Sequence, residues 1–275
     1  MKIGIVGLGT IGSRLVLRAL SRGLEVVGFD KGGMPRALMG TTLQDAPTLE
    51  ALAAALPGPR IVLLGAEAGL PADEAFLGLR RHLSDGDVVL DATPSHWRDS
   101  VRRYRSLRAR GLRLLDMGVS GEDEGAWSVM VGGDLDAYAA VAPVVERLAE
   151  PGKAAYVGAP GAGHFAAQLC ATLEGAMRQT LAEGLALVER SDYRFDLEAL
   201  LSLWQGGSGV AGAVVDAQAR GLRGDRPAAA AVAPWIVEHA LDRGVPLPLI
   251  TLARCEALRG GAAARTAAAS ERLAS

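Results

Sequence analysis

Residues 1–12 read MKIGIVGLGTIG, and residues 24–30 read LEVVGFD. The apolar run from Ile3 to Val6 is typical of a buried parallel strand. Glycines then follow in the spacing G-x-G-x-x-G, apolar residues recur at helical spacing, and a second apolar run ends in Asp30. This order of strand, glycine-rich turn, helix, strand and acid predicts a βαβ unit that binds a dinucleotide.

Each glycine of the turn has its own physical role. Gly7 permits a tight turn, Gly9 lets the backbone approach a pyrophosphate, and Gly12 lets the helix pack close to the strand. The start of the helix offers unpaired backbone N–H groups and a positive dipole end to the phosphates. The predicted phosphate site consists of the turn residues Gly7, Leu8, Gly9, Thr10, Ile11 and Gly12. The alternative interpretation is a glycine-rich turn that binds nothing.

The acid at the end of the second strand bears on the choice of cofactor. Asp30 can accept hydrogen bonds from the adenosine ribose hydroxyls, and its carboxylate would repel the 2′-phosphate of NADP. We therefore favour NAD over NADP. Lys31 and Arg36 follow closely and could offset the repulsion, and they could equally lie in a solvated loop.

Composition limits the class of protein. The chain has 275 residues, of which 49% are hydrophobic and 22% charged, and its net charge is −2. These values predict a globular protein of one or two domains and give no support to a nucleic-acid or membrane partner. Its two cysteines lie outside any C-x-x-C pattern, so we expect no metal site. Because Met1 leads directly into strand residues, we expect a cytoplasmic location.

The first part of the chain alternates short apolar runs with helical patterns. Strands are predicted at 61–64, 87–91, 112–117 and 128–131, with helices such as 73–83 and 100–110 between them. Such alternation predicts a doubly wound α/β sheet with a mostly parallel core. Ligands bind beyond the carboxyl ends of strands in these sheets. We therefore add Ala66 and Thr93, which follow two of the strands, to the cofactor site.

The strand pattern stops at a turn-rich segment, residues 158–163. We predict a Rossmann domain over residues 1–160 and an all-helical domain over residues 161–275. Apolar residues spaced by three and four predict one long helix at 164–190. Shorter helices are predicted at 197–204, 209–220, 228–243 and 247–258.

Four segments together resemble the 6-phosphogluconate dehydrogenase family, in its short bacterial form, within the β-hydroxyacid dehydrogenase superfamily. They are the N-terminal fingerprint and residues 86–100, 115–121 with 130–133, and 161–165. The resemblance implies an α/β Rossmann domain joined by a long interdomain helix to an all-α domain. It also implies a homodimer.

The resemblance further implies a lysine base, an asparagine and a glutamate acid on the long helix. In this chain those positions hold Ala167, Ala171 and Glu174, and the spacing of four and three places them on one helix face. The family base is therefore replaced, whereas the family acid is kept.

Three further family positions are also replaced. The asparagine that contacts substrate and nicotinamide falls at Pro94, and groups that hold the substrate phosphate fall at Gly175 and near Ala211. A phosphate dianion needs paired donors and positive charge. We therefore do not expect 6-phosphogluconate to be the substrate.

Three residues are candidates for the chemistry. Glu174 could donate a proton, or it could be a solvated helix residue. Ser120, in the segment that contacts substrate in the family, could bind a carbonyl or carboxylate, or simply form a turn. His164 could contact substrate or serve only the helix start.

These observations predict an NAD(P)-dependent oxidoreductase that transfers hydride to or from a small, non-phosphorylated molecule. Reduction of a carbonyl or imine is the preferred reaction, because reduction needs a proton donor rather than a base. One alternative is a catalytically silent nucleotide-binding or regulatory protein. Another is a β-hydroxyacid dehydrogenase that uses a different base.

Overall fold

The computed structural model describes residues 1–67, 69–121, 127–207 and 233–259. The chain divides into two compact units, Met1–Ala167 and Gln168–Ser275. The predicted domain boundary after residue 160 stays a prediction.

The first unit contains one eight-stranded sheet in the order β3-β2-β1-β4-β5-β6-β7-β8. All neighbouring strands are parallel except the antiparallel pair β6 and β7. The strands are β1 Lys2–Val6, β2 Glu25–Phe29, β3 Gln44–Asp45, β4 Ile61–Leu64, β5 Val88–Asp91, β6 Arg113–Ser120, β7 Ser128–Gly132 and β8 Ala154–Gly158. The strand order reverses direction between β1 and β4, which is where ligands of doubly wound sheets bind.

Helices cover both faces of this sheet. They are α1 Thr10–Ser21, α2 Leu49–Ala54, α3 Leu70–Leu79, α4 Trp97–Arg108 and α5 Leu135–Leu148. One apolar core contains buried residues of α1 and α5, and a second contains buried residues of α2, α3 and α4. Alternate residues of the strands enter opposite cores, as expected for strands buried on both sides. The predicted doubly wound fold is confirmed.

The described part of the second unit is helical. α6 spans Ala162–Glu189, so it begins within the first unit, and α7 spans Leu197–Gly207. α8 spans Pro234–Asp242, and α9 spans residues 248–259. Leu181 and Leu185 of α6 pack with Leu201 of α7. The predicted long helix is confirmed, and no strand occurs among the described residues after Gly158.

The structure corrects several boundaries. The strand predicted at 112–117 continues to Ser120, so Ser120 ends a strand rather than lying in a loop. Of the helix predicted at 228–243, residues 228–232 lie outside the described residues. The described helix begins at Pro234, because proline is favoured at a first helical position and Ala233 is extended. The helix predicted at 209–220 lies outside the described residues. β8 was missed, because two of its five residues are alanine, which has little preference for strands.

Candidate active site

The glycine-rich turn joins β1 to α1 and leaves no room for a side chain at Gly7 or Gly12. Gly7 has a φ of +86°, and its N–H donates to the Phe29 carbonyl at 2.8 Å. A Cβ atom placed on Gly12 would lie 1.7 Å from the Gly7 carbonyl oxygen. A Cβ on Gly7 would lie 2.7 Å from the backbone nitrogen of Ala66. Gly7 and Gly12 therefore have to be glycine, and the first turn of α1 is left open to an anion.

Asp30 follows β2 and holds the glycine-rich turn in place. Its Oδ2 accepts a hydrogen bond from the Leu8 N–H at 2.7 Å, and its Oδ1 accepts one from the Gly32 N–H at 2.7 Å. A carboxylate has about four acceptor sites, so both oxygens can also accept from a ribose. The residues fit the adenosine end of a nicotinamide dinucleotide.

The two nearby cations are exposed. Lys31 Nζ lies 3.1 Å from Oε2 of Glu74 on α3, and both side chains are exposed. Arg36 begins a short 3-10 turn, Arg36–Leu38, and is also exposed. An exposed ion pair is weak, so Lys31 is only loosely held by Glu74.

Thr93 belongs to a buried polar network at the end of β5. Its hydroxyl donates to Asp91 Oδ1 at 2.6 Å and lies 2.7 Å from Ser95 Oγ. Arg103 of α4 donates from Nη1 to Asp91 Oδ2 at 2.9 Å and also pairs with Asp73. The Thr93 side chain therefore forms hydrogen bonds within the protein, and its contact with a cofactor stays a prediction.

The network contains a fully buried ion pair. Arg103 is 1% exposed and Asp91 is 0% exposed. Burial alone would lower the pKa of Arg103, but the carboxylates of Asp91 and Asp73 outweigh burial and raise it above its ordinary value. The stability of the fold therefore depends on the pairing of Arg103 with these carboxylates, because an unpaired buried charge is costly.

We expect Asp91→Asn to lower the free energy of unfolding by about 3 kcal/mol, because it leaves the Arg103 charge buried with Asp73 as its only carboxylate. Urea unfolding followed by circular dichroism measures the loss. Asp99→Asn is the matched control, since Asp99 pairs with the exposed side chain of Arg102, and a loss below about 1 kcal/mol is expected. Equal losses in the two variants would contradict the prediction.

A second buried acid caps the start of α6. Asp116 of β6 is 0% exposed, and it accepts from the Gly161 N–H at 2.6 Å and from the His164 N–H at 2.8 Å. The His164 ring Nδ1 lies 2.6 Å from Ser100 Oγ of α4. His164 is 3% exposed, so these contacts fix the helix start between β6 and α4.

Two other positions singled out by the sequence also lie in the first unit. Ser120 is half-buried at the end of β6, four residues beyond Asp116, which pairs with Asp91 of β5. Ser120 therefore lies beyond the carboxyl end of β5, where it pairs with Ser128 of β7. Ala167, where the resemblance implies a lysine, packs against β6, since a Cβ on Gly118 would lie 2.5 Å from the Ala167 Cβ.

Glu174 lies in the second unit, on α6. It is half-buried, and the Cys170 thiol donates to its Oε1 at 3.6 Å. Neither Cys170 nor Cys255 forms a disulfide. α6 also contacts α8, where Trp235 Nε1 donates to Gln168 Oε1 at 2.7 Å.

The structure brings the glycine-rich turn, Asp30 and Ala66 together at one edge of the sheet. Sequence interpretation missed Asp116 and Arg103, although an acid inside an apolar strand such as Leu114–Met117 is a usable sign of a buried partner. Among the described residues, no three His, Cys, Asp or Glu side chains form a metal-binding group, and no helix has the length and apolarity to cross a membrane.

Residues 2–158 match the family described as the NAD binding domain of 6-phosphogluconate dehydrogenase. The chain belongs to the 6-phosphogluconate dehydrogenase family. It is an NAD(P)-binding oxidoreductase, and the resemblance noted from the sequence is confirmed.

Two relatives are similar to this protein over most of its length. An NAD+-dependent decarboxylating 6-phosphogluconate dehydrogenase of Haloferax volcanii is 31% identical, covering 91% of this chain and 87% of its own. The corresponding Bacillus subtilis enzyme is longer, and this chain spans 59% of it at 30% identity.

Solved structures show the same fold. The 3-hydroxyisobutyrate dehydrogenase of Salmonella typhimurium superposes with a TM-score of 0.79 at 22% identity, covering 96% of this chain and 95% of its own. An imine reductase of Streptomyces aurantiacus superposes with a TM-score of 0.55 at 17% identity, covering 83% of this chain and 96% of its own.

Proposed function

We propose that this 6-phosphogluconate dehydrogenase-family protein reduces a carbonyl or imine of a small, non-phosphorylated molecule with NADH. The observation that carries the proposal is the alanine at position 167 combined with the glutamate at position 174. The lysines of the chain are Lys2, Lys31 and Lys153, so none lies on α6. Oxidation of an alcohol benefits from a positioned base, whereas reduction needs an acid.

The chain's own residues have separate roles in this proposal. The first turn of α1 binds the pyrophosphate, and Asp30 accepts from the adenosine ribose. Bound NADH supplies the hydride. Ser120 orients the polar group of the substrate, and Glu174 protonates the atom that becomes basic on reduction. Because His164 is buried against Ser100, we assign it the positioning of α6 rather than contact with substrate.

A turnover panel tests the proposal directly. Oxidation of NADH is followed at 340 nm with ketones, keto acids and cyclic imines, and reduction of NAD+ is followed with hydroxyacids and 6-phosphogluconate. Turnover confined to the reductive arm supports the proposal, whereas turnover confined to a hydroxyacid indicates another base. Cofactor binding without any turnover favours the regulatory alternative, which the loss of the lysine also suggests.

We expect NADH to bind at least about tenfold more tightly than NADPH, because Asp30 repels a 2′-phosphate and Lys31 is paired with Glu74. Glu74→Gln frees Lys31 for that phosphate. The ratio of NADH affinity to NADPH affinity should then fall by about threefold, which corresponds to the energy of an exposed ion pair. Fluorescence titration with both cofactors measures the ratio. Tighter binding of NADPH by the parent protein would refute the assignment.

We also propose a homodimer formed through the helical unit. Large apolar side chains of its described helices are exposed, such as Leu187 at 73%, Leu203 at 72% and Leu249 at 74%. The family resemblance implies a dimer, and burial of such side chains against a second copy of the chain would stabilise it. Sedimentation equilibrium distinguishes a dimer from a monomer. The cytoplasmic location stays a prediction.

A further inference from the structure

The loop after β4 lies directly on the glycine-rich turn. A Cβ on Gly65 would lie 2.8 Å from the Gly12 Cα, and a Cβ on Gly7 would lie 2.8 Å from the Ala66 Cα. The next residue, Glu67, extends over the turn. Its Oε1 is 3.4 Å from the position that a Cβ on Gly9 would occupy.

This carboxylate lies beside the N-terminal end of α1, to which we assign the pyrophosphate of the cofactor. Gly9 is the N-cap of α1, and the first turn of α1, all of it described, contains no acid of its own. The positive end of a helix attracts carboxylates and phosphates alike. Glu67 is exposed, and no cation of the described residues forms an ion pair with it. Its negative charge is therefore available to the open end of α1.

We propose that Glu67 is an internal anion that competes with the pyrophosphate of the cofactor for the N-terminal end of α1. The inference rests on the assignment of this turn to a dinucleotide. When the cofactor binds, the Glu67 carboxylate has to move away from the end of α1. It still lies close to the pyrophosphate, which is also negatively charged. Glu67 thereby weakens dinucleotide binding and speeds its release, without any contact with the substrate.

Glu67→Gln removes the charge and keeps the shape of the side chain. NADH and ADP-ribose both carry the pyrophosphate, so each is titrated by calorimetry against parent and variant at 20 mM and 500 mM NaCl. We expect both ligands to bind about three- to tenfold more tightly to the variant at low salt. At high salt the difference should fall below about twofold, because exposed charges are screened.

Glu25→Gln is the matched control. Glu25 is exposed at the amino end of β2, and Gly9 follows the carboxyl end of the parallel strand β1, so the two lie at opposite edges of the sheet. The control makes the same change in net charge and should leave both affinities unchanged.

Three results would overturn the proposal. Affinities of Glu67→Gln equal to those of the parent at both salt concentrations would show that the charge has no effect. Weaker binding by the variant would show that Glu67 assists the cofactor. If the parent binds neither NADH nor ADP-ribose, the assignment of the turn to a dinucleotide fails, and this proposal fails with it.

Discussion

Gly12→Ala is expected to abolish the binding of NADH and to destabilise the first unit. The added Cβ would lie 1.7 Å from the Gly7 carbonyl oxygen and 2.7 Å from the Gly7 carbonyl carbon. Both atoms are backbone, so no side-chain rotation relieves the clash, and α1 must move away from β1. We expect the affinity for NADH to fall by more than about a hundredfold, since the pyrophosphate site is built from this contact. Overpacking of this kind also costs about 1–3 kcal/mol of stability.

Gly184→Ala provides the same chemical change without the clash. Gly184 is exposed within α6, and a Cβ there has no described atom within 4 Å. Alanine in a helix interior is favoured over glycine by up to about 1 kcal/mol, so this variant should be slightly more stable than the parent. NADH titration and urea unfolding of both variants give the comparison. Parent-like NADH binding by Gly12→Ala would disprove our account of the turn.

The contrast between these two glycines shows what the sequence could predict. The spacing of Gly7, Gly9 and Gly12 is local, and Gly7 and Gly12 have roles that no other residue can take. The turn, β1, α1 and β2 were therefore predicted almost residue by residue. Gly184 has no such pattern around it. The helix predicted at 164–190 contains it, but the open space beside it does not follow from the sequence.

The long-range contacts could not be predicted in the same way. Asp116 and His164 are 48 positions apart, and only the pairing of β6 with its neighbours brings the carboxylate to the start of α6. Arg103 lies in an arginine-rich helix that indicates a solvated surface, because arginine is almost never fully buried. Its burial depends on Asp91 and Asp73, which come from two other elements.

These contacts change the interpretation of two candidate residues. Thr93 was expected to reach the cofactor, yet its hydroxyl completes the Asp91 network. His164 was a candidate for contact with substrate, yet its ring is bonded to Ser100 in the interior. Thr93 was assigned from its place after a strand and His164 from the resemblance, so neither kind of inference separates a residue that supports a site from one that touches a ligand.

Family membership therefore fixes the cofactor-binding unit more firmly than the reaction. The described geometry of the turn and Asp30 fits a nicotinamide dinucleotide, whatever the substrate. The position that defines the family's base holds Ala167, which packs on β6. Whether the protein acts as a reductase therefore depends on whether Glu174 takes part in proton transfer.

Glu174→Gln is expected to lower the kcat for reduction by about 10²–10⁴-fold, the usual contribution of a positioned acid. Glutamine keeps the size of the side chain and an oxygen that can accept from the Cys170 thiol, so the packing of α6 is retained. Glutamine cannot donate the proton that the carboxyl group of Glu174 would give to the reduced substrate. Binding of NADH should stay within about twofold of the parent, because the dinucleotide residues all lie in the first unit.

Glu183→Gln is the matched control for this variant. Glu183 lies on the same helix, is exposed, and bonds only to Gln179 among the described residues. Its replacement removes the same charge and should leave kcat unchanged. A kcat of Glu174→Gln equal to that of the parent would exclude Glu174 as the proton donor. A fall in kcat that Glu183→Gln shares would instead indicate a general effect of charge on α6, since a positioned acid acts from one place only.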